Sequence, residues 1–217
     1  MTQFTSGIYR LTQIPLIYKA IPHLLPRKNA LSKFVAEMIQ PIVGEAVLDL
    51  GCGPGTFCPF LAGTHYKGID LNVAHIAAAR ERFKGLDFEC CDAGAFLTST
   101  NQKFDLILLI GLLHHLDDNH VLSVMRGCLQ VLNVGGRIVA LDPAFEEHQN
   151  PIAYALARLD SGRNVRYQDQ YLKLVQEIFP NSSGFLRRDL LRVPYTHAVT
   201  ICRTESCLVE ETQRRRV

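Results

Sequence analysis

The sequence is short of the features that would take a chain into a membrane or a disulfide framework. Its longest unbroken apolar run, Leu106 to Leu113 with Gly111 inside it, falls far below the roughly 20 residues that a bilayer-crossing helix needs. Arg10 and Lys19 lie near the start, but no compact apolar stretch and cleavage site follow them, so no signal peptide is expected. Seven cysteines, an odd number that includes the adjacent Cys90 and Cys91, give neither a disulfide pattern nor a C-x-x-C metal spacing. Reduced thiols, a cytoplasmic location and no metal site are the expectation. The net charge of +2 gives no general argument for nucleic acid. Residues 1–36 hold no Asp or Glu at all, and the 217 residues show no internal repeat and no low-complexity linker. With 47% hydrophobic and 20% charged residues, the composition is that of a globular chain able to bury a sizeable core.

What is present centres on Val47-Leu48-Asp49-Leu50-Gly51-Cys52-Gly53-Pro54-Gly55. It reads as a short buried strand running into three alternating glycines, with a helix expected over 56–62. Glycines permit positive φ and let a ligand approach without a Cβ in the way. A helix N-terminus behind them would add unpaired N–H groups and the positive end of its dipole. Asp70, closing the next strand in Tyr66-Lys67-Gly68-Ile69-Asp70, falls where a nucleotide-type βαβ unit places its ribose-binding carboxylate. At this level a dinucleotide site and an S-adenosylmethionine site both remain open.

The run Asp49-Leu50-Gly51-Cys52-Gly53-Pro54-Gly55 resembles the first motif of the class I S-adenosylmethionine-dependent methyltransferases. The glycines follow G-x-G-x-G with an acid two positions ahead, whereas the dinucleotide fingerprint is G-x-G-x-x-G, and position 56 is Thr. The resemblance continues in register over about 45–142. It implies a doubly wound, mostly parallel seven-stranded α/β sheet with an antiparallel last strand, and S-adenosyl-L-methionine as cofactor. Asp49 would orient the loop and the methionine ammonium. Gly51, Cys52, Gly53 and Gly55 would cradle the methionine portion, Cys52 serving as a small residue that fits. Asp70 would accept both ribose hydroxyls with Leu71 beside the adenine. Asp92 and the Ala93 N–H would read the adenine edge, and Ile110 would give a backbone contact near the sulfonium.

The rest of the chain is consistent with that frame. Strands are expected over 45–50, 66–71, 86–91, 104–110 and 137–141, with helices over 73–83 and from Asp117 or Asp118 to about 133. Short connections between them predict a parallel sheet with right-handed crossovers. Residues 1–43 form an N-terminal helical extension, 44–143 the cofactor-binding core and 144–180 a helical insertion after the fifth strand, with helices near 150–160 and 167–179. Residues 181–204 give a hairpin turning at Pro194-Tyr195, and 205–217 a solvated tail. Asn29 or Ser32 is the expected cap of the helix through Phe34, Val35 and Met38. The acid-free extension reads as padding on the sheet, as a basic lid over an anionic acceptor or as a membrane-surface helix.

Methyl transfer from a sulfonium needs mainly alignment, and a base only where the acceptor must lose a proton. His114 and His115, just after the fourth strand, are the candidate catalytic residues: His114 as general base, His115 as the residue bracing the loop. Tyr154, Arg158, Arg163, Arg166, Tyr167 and Tyr171 of the insertion either line a pocket for an anionic or hydroxylated small molecule or form a solvated helix pair. The leading expectation is methyl transfer to oxygen or nitrogen of such an acceptor. RNA or protein methylation lacks the Asn/Asp-Pro-Pro-Tyr type motif, since Ile110-Gly111-Leu112-Leu113 stands there. A protein that binds the cofactor without transferring its methyl group is the other alternative. The sequence names no oligomeric state.

Overall fold

The structure, a computed structural model, describes residues 29–160 and 162–204. The expectations for the basic stretch before residue 29 and for the tail after 204 lie outside these residues. The element order is α1 (Ala30–Phe34, widening into a π turn over Val35–Ile39), β1 (Ala46–Leu50), β2 (His65–Asp70), α2 (Val73–Arg82), β3 (Asp87–Cys90), α3 (Ala93–Ser99), β4 (Phe104–Ile110), α4 (Asp118–Val131), β5 (Leu132–Phe145), α5 (Pro151–Arg158), β6 (Arg166–Tyr167), α6 (Gln168–Gln176), β7 (Ser183–Arg187) and β8 (His197–Arg203). The sheet runs β3-β2-β1-β4-β5-β8-β7, with the short β6 paired to the end of β5. Strands β1 to β5 are parallel, while β8 runs antiparallel to β5 and to β7.

Alternation along the central strands sends side chains to two cores. Leu48, Leu50, Ile107 and Leu109 pack against Val121, Met125 and Cys128 of α4. Val47, Leu106, Leu108 and Val139 pack against Phe34 and Ile39 on one side and Ile76 and Ala79 of α2 on the other. Strands buried on both faces read as continuous apolar runs, which is why β4 stands out in the sequence.

Several expectations need correction. No α-helix follows the glycine loop; the chain makes turns and one 3₁₀ turn, Cys58–Phe60. Pro54 and Pro59 each lack an N–H, and Gly55 and Gly63 sit at positive φ, so no run long enough to propagate a helix remains. The dipole argument for this loop therefore falls away. Strand β5 extends at both ends of the expected 137–141, with a register irregularity between Phe104 and Leu106 on its partner. The final hairpin does not turn at Pro194-Tyr195. Its first strand is Ser183–Arg187, and 188–196 is a loop. Asp189 accepts two bonds from the Arg187 guanidinium at 2.7 Å each, which turns the chain out of the strand, and Leu190 is buried against the α1 side of the sheet. Asn29 sits at φ 64 and makes no side-chain cap to α1.

Arg137 ties α1 to the sheet. Buried to 8% exposure, it donates to the carbonyls of Ile39 (3.1 and 3.0 Å) and Gln40 (2.6 Å) and to both oxygens of Glu45 (2.7 and 3.0 Å). Removing one partner of such a pair leaves the other charged and desolvated. Arg137→Met is expected to cost about 3 kcal/mol in urea unfolding, with the slope of the transition unchanged.

Candidate functional site

Strand order reverses between β1 and β4, and the carboxyl ends of these two strands open the crevice in which α/β sheets of this kind bind ligands. Leu50 leads into Gly51 and Ile110 into Gly111, both glycines at positive φ. A Cβ on Gly51 would lie 3.3 Å from Leu112 Cδ1, so the two loops pack directly on each other. At Gly55 a Cβ would meet the Phe83 ring at 2.8 Å, so a side chain there would have to displace that ring. The Gly51 and Cys52 N–H groups both donate to the Ile69 carbonyl, at 2.7 and 3.0 Å.

Two carboxylates frame this loop. Asp70 Oδ2 accepts from the Gly53 N–H at 2.8 Å and Oδ1 from the Asn72 N–H at 2.7 Å. A carboxylate offers about four lone-pair sites, so acceptor capacity remains on both oxygens. Asp49 is 2% exposed; Oδ2 accepts the Tyr66 hydroxyl at 2.9 Å, and Oδ1 is buried with no hydrogen-bond partner among the described residues. Burial pushes the Asp49 carboxyl up to about 7, against the opposing Tyr66 hydrogen bond, and the Asp70 charge adds to the rise. A buried acceptor without a donor is costly, and it marks a place where a ligand donor fits. Cys52 is buried, and burial raises its thiol well above the usual range, which suits a small packing residue and not a nucleophile.

At the next strand end Asp92 Oδ1 accepts from the Ala95 N–H at 3.0 Å and so caps α3. Ala93 is the first residue of that helix, and Leu71, after β2, is 42% exposed. Ile110 ends β4 opposite Leu141. All the residues expected at a cofactor site thus gather along one edge of the sheet. The orphaned Asp49 Oδ1, the remaining Asp70 lone pairs and the open glycine turn fit an S-adenosylmethionine-type ligand, whose ammonium and ribose hydroxyls are all donors.

The two histidines differ sharply. His114, 5% exposed, has Nδ1 2.8 Å from Asp142 Oδ1 and Nε2 3.2 Å from Asp160 Oδ1, and its backbone N–H donates to Asp142 at 3.1 Å. Burial opposes a charged ring, but the hydrogen bonds and charges of Asp142 and Asp160 outweigh it and raise His114 to about 9. His115 stacks beside it, ring centroids 4.0 Å apart. Burial and then the His114 charge push His115 down to about 4. Asp160 is lowered to about 2, the His114 bond and charge prevailing over its own burial.

The insertion holds surprises of its own. Arg166 and Tyr171 are buried and spent on structure. The Arg166 guanidinium donates to Asp118 (3.0 and 2.7 Å) and to the carbonyls of Leu113, Asn164 and Leu116, and the Tyr171 hydroxyl donates to the Pro143 carbonyl at 3.1 Å. Tyr154 and Tyr167 are half-exposed around Phe145, at centroid distances of 5.4 and 5.9 Å. Arg158 and Arg163 point to solvent. A cleft of about 380 Å³ lies here, lined by Phe145, Tyr167 and Leu186 with Glu146, Glu147 and Asp169 among its polar residues, and none of the described residues that line it is basic. Sequence reading missed Tyr66, Asp142 and Asp160. Asp142 carried a usable signal, an acid closing an apolar strand like the other three; Asp160, in a loop, carried none.

Residues 47–136 match the methyltransferase domain family. The chain is 30% identical over 122 residues to the ubiquinone biosynthesis O-methyltransferase of Stutzerimonas stutzeri, covering 54% of this chain and 50% of that protein. It is also 30% identical to methyltransferase GfsG of Streptomyces halstedii, covering 65% of this chain and 54% of that one. The chain therefore spans about half the length of these curated relatives. Among solved structures, a SAM-dependent methyltransferase from Archaeoglobus fulgidus superposes with a TM-score of 0.69 at 16% identity, over 88% of this chain and all of that one. Among the described residues, no helix is long and apolar enough to cross a membrane.

Asp49 carries a pH signature. Its carboxyl lies above the ordinary 3.8 in the fold, so its contribution to stability is full below that value and is lost as pH rises through about 7. Asn carries no charge to desolvate. The melting temperature of Asp49→Asn relative to the unsubstituted chain should therefore climb between pH 5 and pH 8, while affinity for S-adenosylhomocysteine falls at least about tenfold. Melting scans across that range with calorimetric titration check both.

Proposed function

We propose that this chain, which belongs to the class I S-adenosylmethionine-dependent methyltransferases, transfers a methyl group to an oxygen of a small hydroxylated molecule. The observation that carries the reading is the buried, unpartnered Asp49 Oδ1 behind a glycine turn pinned to Asp70. The ubiquinone biosynthesis relative, named as an O-methyltransferase, supports oxygen as the accepting atom. Free thiols at the described cysteines support the cytoplasm as its compartment.

When bound, S-adenosylmethionine supplies an electrophilic methyl carbon on a sulfonium. Asp49 would take the ammonium through Oδ1, and the backbone of Gly51, Cys52, Gly53 and Gly55 would hold the methionine chain. Asp70 would accept the ribose hydroxyls on the lone pairs that Gly53 and Asn72 leave. Leu71 would cover the adenine, while Asp92 and the Ala93 N–H would meet its edge. The Ile110 backbone would contact the sulfonium end. Holding acceptor oxygen, carbon and sulfur in line then supplies most of the rate.

For the proton, this geometry favours His115 over His114. A ring that donates through both nitrogens to Asp142 and Asp160 has no lone pair to offer, whereas His115 is neutral and unclamped. His115 is a weak base, suited to an acceptor hydroxyl whose acidity rises as the methyl group arrives. In the cleft beside Phe145 the Glu146 carboxylate is taken by Arg188 and Thr196, and Glu147 and Asp169 remain to favour a hydroxylated acceptor that is neutral or cationic over the anionic one suggested by the basic first residues.

Calorimetric titration of the purified chain with S-adenosylhomocysteine should give saturable binding that Asp70→Ala weakens at least about tenfold, with no binding of NAD. Equal affinity in the variant would remove Asp70 from the site, and NAD binding would overturn the family's cofactor for this chain. In turnover with a phenolic acceptor, His115→Ala should lower kcat about 100-fold with S-adenosylhomocysteine affinity unchanged. A kcat within a factor of about two would remove His115 as the base.

A further inference from the structure

The loop joining α5 to β6 lies directly on the turn that follows β4. There is no room for a Cβ at Gly162 between its backbone and the His114 ring. The Asn164 N–H donates to the His114 carbonyl at 3.0 Å. Asp160, from the same loop, reaches His114 Nε2 with Oδ1, which also accepts the Gly162 N–H at 2.9 Å, while Oδ2 accepts the Tyr195 hydroxyl at 3.0 Å. Beyond this loop Arg166 holds the Leu113 and Leu116 carbonyls on either side of the histidine pair.

We propose that Asp160 is a positioning residue for methyl transfer. It acts through His114, which bridges the insertion to the end of β5 only while both of its ring nitrogens carry protons, and so fixes the turn on which His115 stands. This rests on the transferase reading above.

The asymmetry of the bridge decides what happens when one proton leaves. A neutral imidazole has one N–H and one lone pair. Asp142 is 2% exposed, sits on β5 and accepts twice from His114, through ring and backbone, so Nδ1 keeps its proton. The Nε2 lone pair then faces the Asp160 carboxylate at the 3.2 Å contact, and the attraction becomes repulsion. Asp160 is the more exposed partner and lies on a loop, so the loop moves. The other groups facing His114 do not cross their own titrations in the same range. His115 and His197 are both held down near 4 by burial, and the hydroxyls of Tyr171 and Tyr195 are raised by burial. Arg166 faces the Leu113 and Leu116 carbonyls and Asp118. His114, raised to about 9, is therefore the group that releases the loop.

The test is an NMR titration of the histidine rings with amide exchange, on the full chain and on Asp160→Asn and Asp160→Glu. In the unsubstituted chain His114 should titrate near pH 9. Over the same range the Asn164 amide should lose at least about tenfold of its protection beyond the ordinary base-catalysed trend. Asp160→Asn should move both transitions down by about one pH unit or more, since one carboxylate is gone, and Asp160→Glu should restore them in part. If Asp160 did not couple His114 to the loop, the Asn variant would shift the ring titration through the lost charge alone and leave the Asn164 protection profile where it was, which would overturn the proposal. So would Asn164 protection that is unchanged through pH 9. These readouts need no acceptor, so they stand even if the chain transfers no methyl group. With an acceptor in hand, kcat/KM should fall along the same alkaline limb, and a limb unmoved in Asp160→Asn would remove the positioning role.

Discussion

Strand β1 hydrogen-bonds to β2 on one side and to β4 on the other, and the site depends on those two registers. Asp49 pairs with Gly68 and with Leu108, so the chain leaves β1 level with the ends of both neighbours. That is why the Gly51 and Cys52 N–H groups find the Ile69 carbonyl, why the Gly53 N–H finds Asp70, and why Leu112 lies against Gly51. A slip by one residue would turn Asp49 to the other face of the sheet and Leu48 or Leu50 towards Tyr66. The apolar residues that make slippage costly therefore also place the carboxylate.

The same scaffold places acids for opposite ends. Asp49 is buried with too few donors and is held partly protonated, an arrangement that costs stability and leaves an acceptor for a ligand. Asp142, equally buried on β5, two strands away, is supplied with two donors from His114. Two equally buried carboxylates on the strands either side of β4 thus carry different tasks because of the donors that reach them. Sites that bind or react commonly keep groups which a purely structural core would replace.

Most of the framework was legible in advance because it rests on local periodicity. The double-faced burial of β4, the acids after apolar runs and the two helices of the insertion all leave patterns in the chain. The helix expected after Gly55 failed because helix-compatible residues do not outweigh two prolines and two glycines at positive φ in so short a connection. The hairpin turn failed because Pro194-Tyr195 has turn chemistry, but Asp189 and Glu37 capture Arg187 and bend the chain earlier. In each case a competing local or tertiary contact prevailed over a plausible propensity.

By itself the sequence determined the α/β order, the glycine turn, and the acids Asp49, Asp70 and Asp92 at successive strand ends, because strand periodicity and turn chemistry act over a few residues. The tertiary structure alone decided the roles of the two adjacent histidines. Nothing near them in the chain separates His114 from His115; Asp142 and Asp160 do, from 28 residues away and from across the insertion. It also decided that Arg166 and Tyr171 hold the insertion in place while Tyr154 and Tyr167 remain on its surface. Burial and charge partners set those outcomes, and both come from residues brought together only by folding.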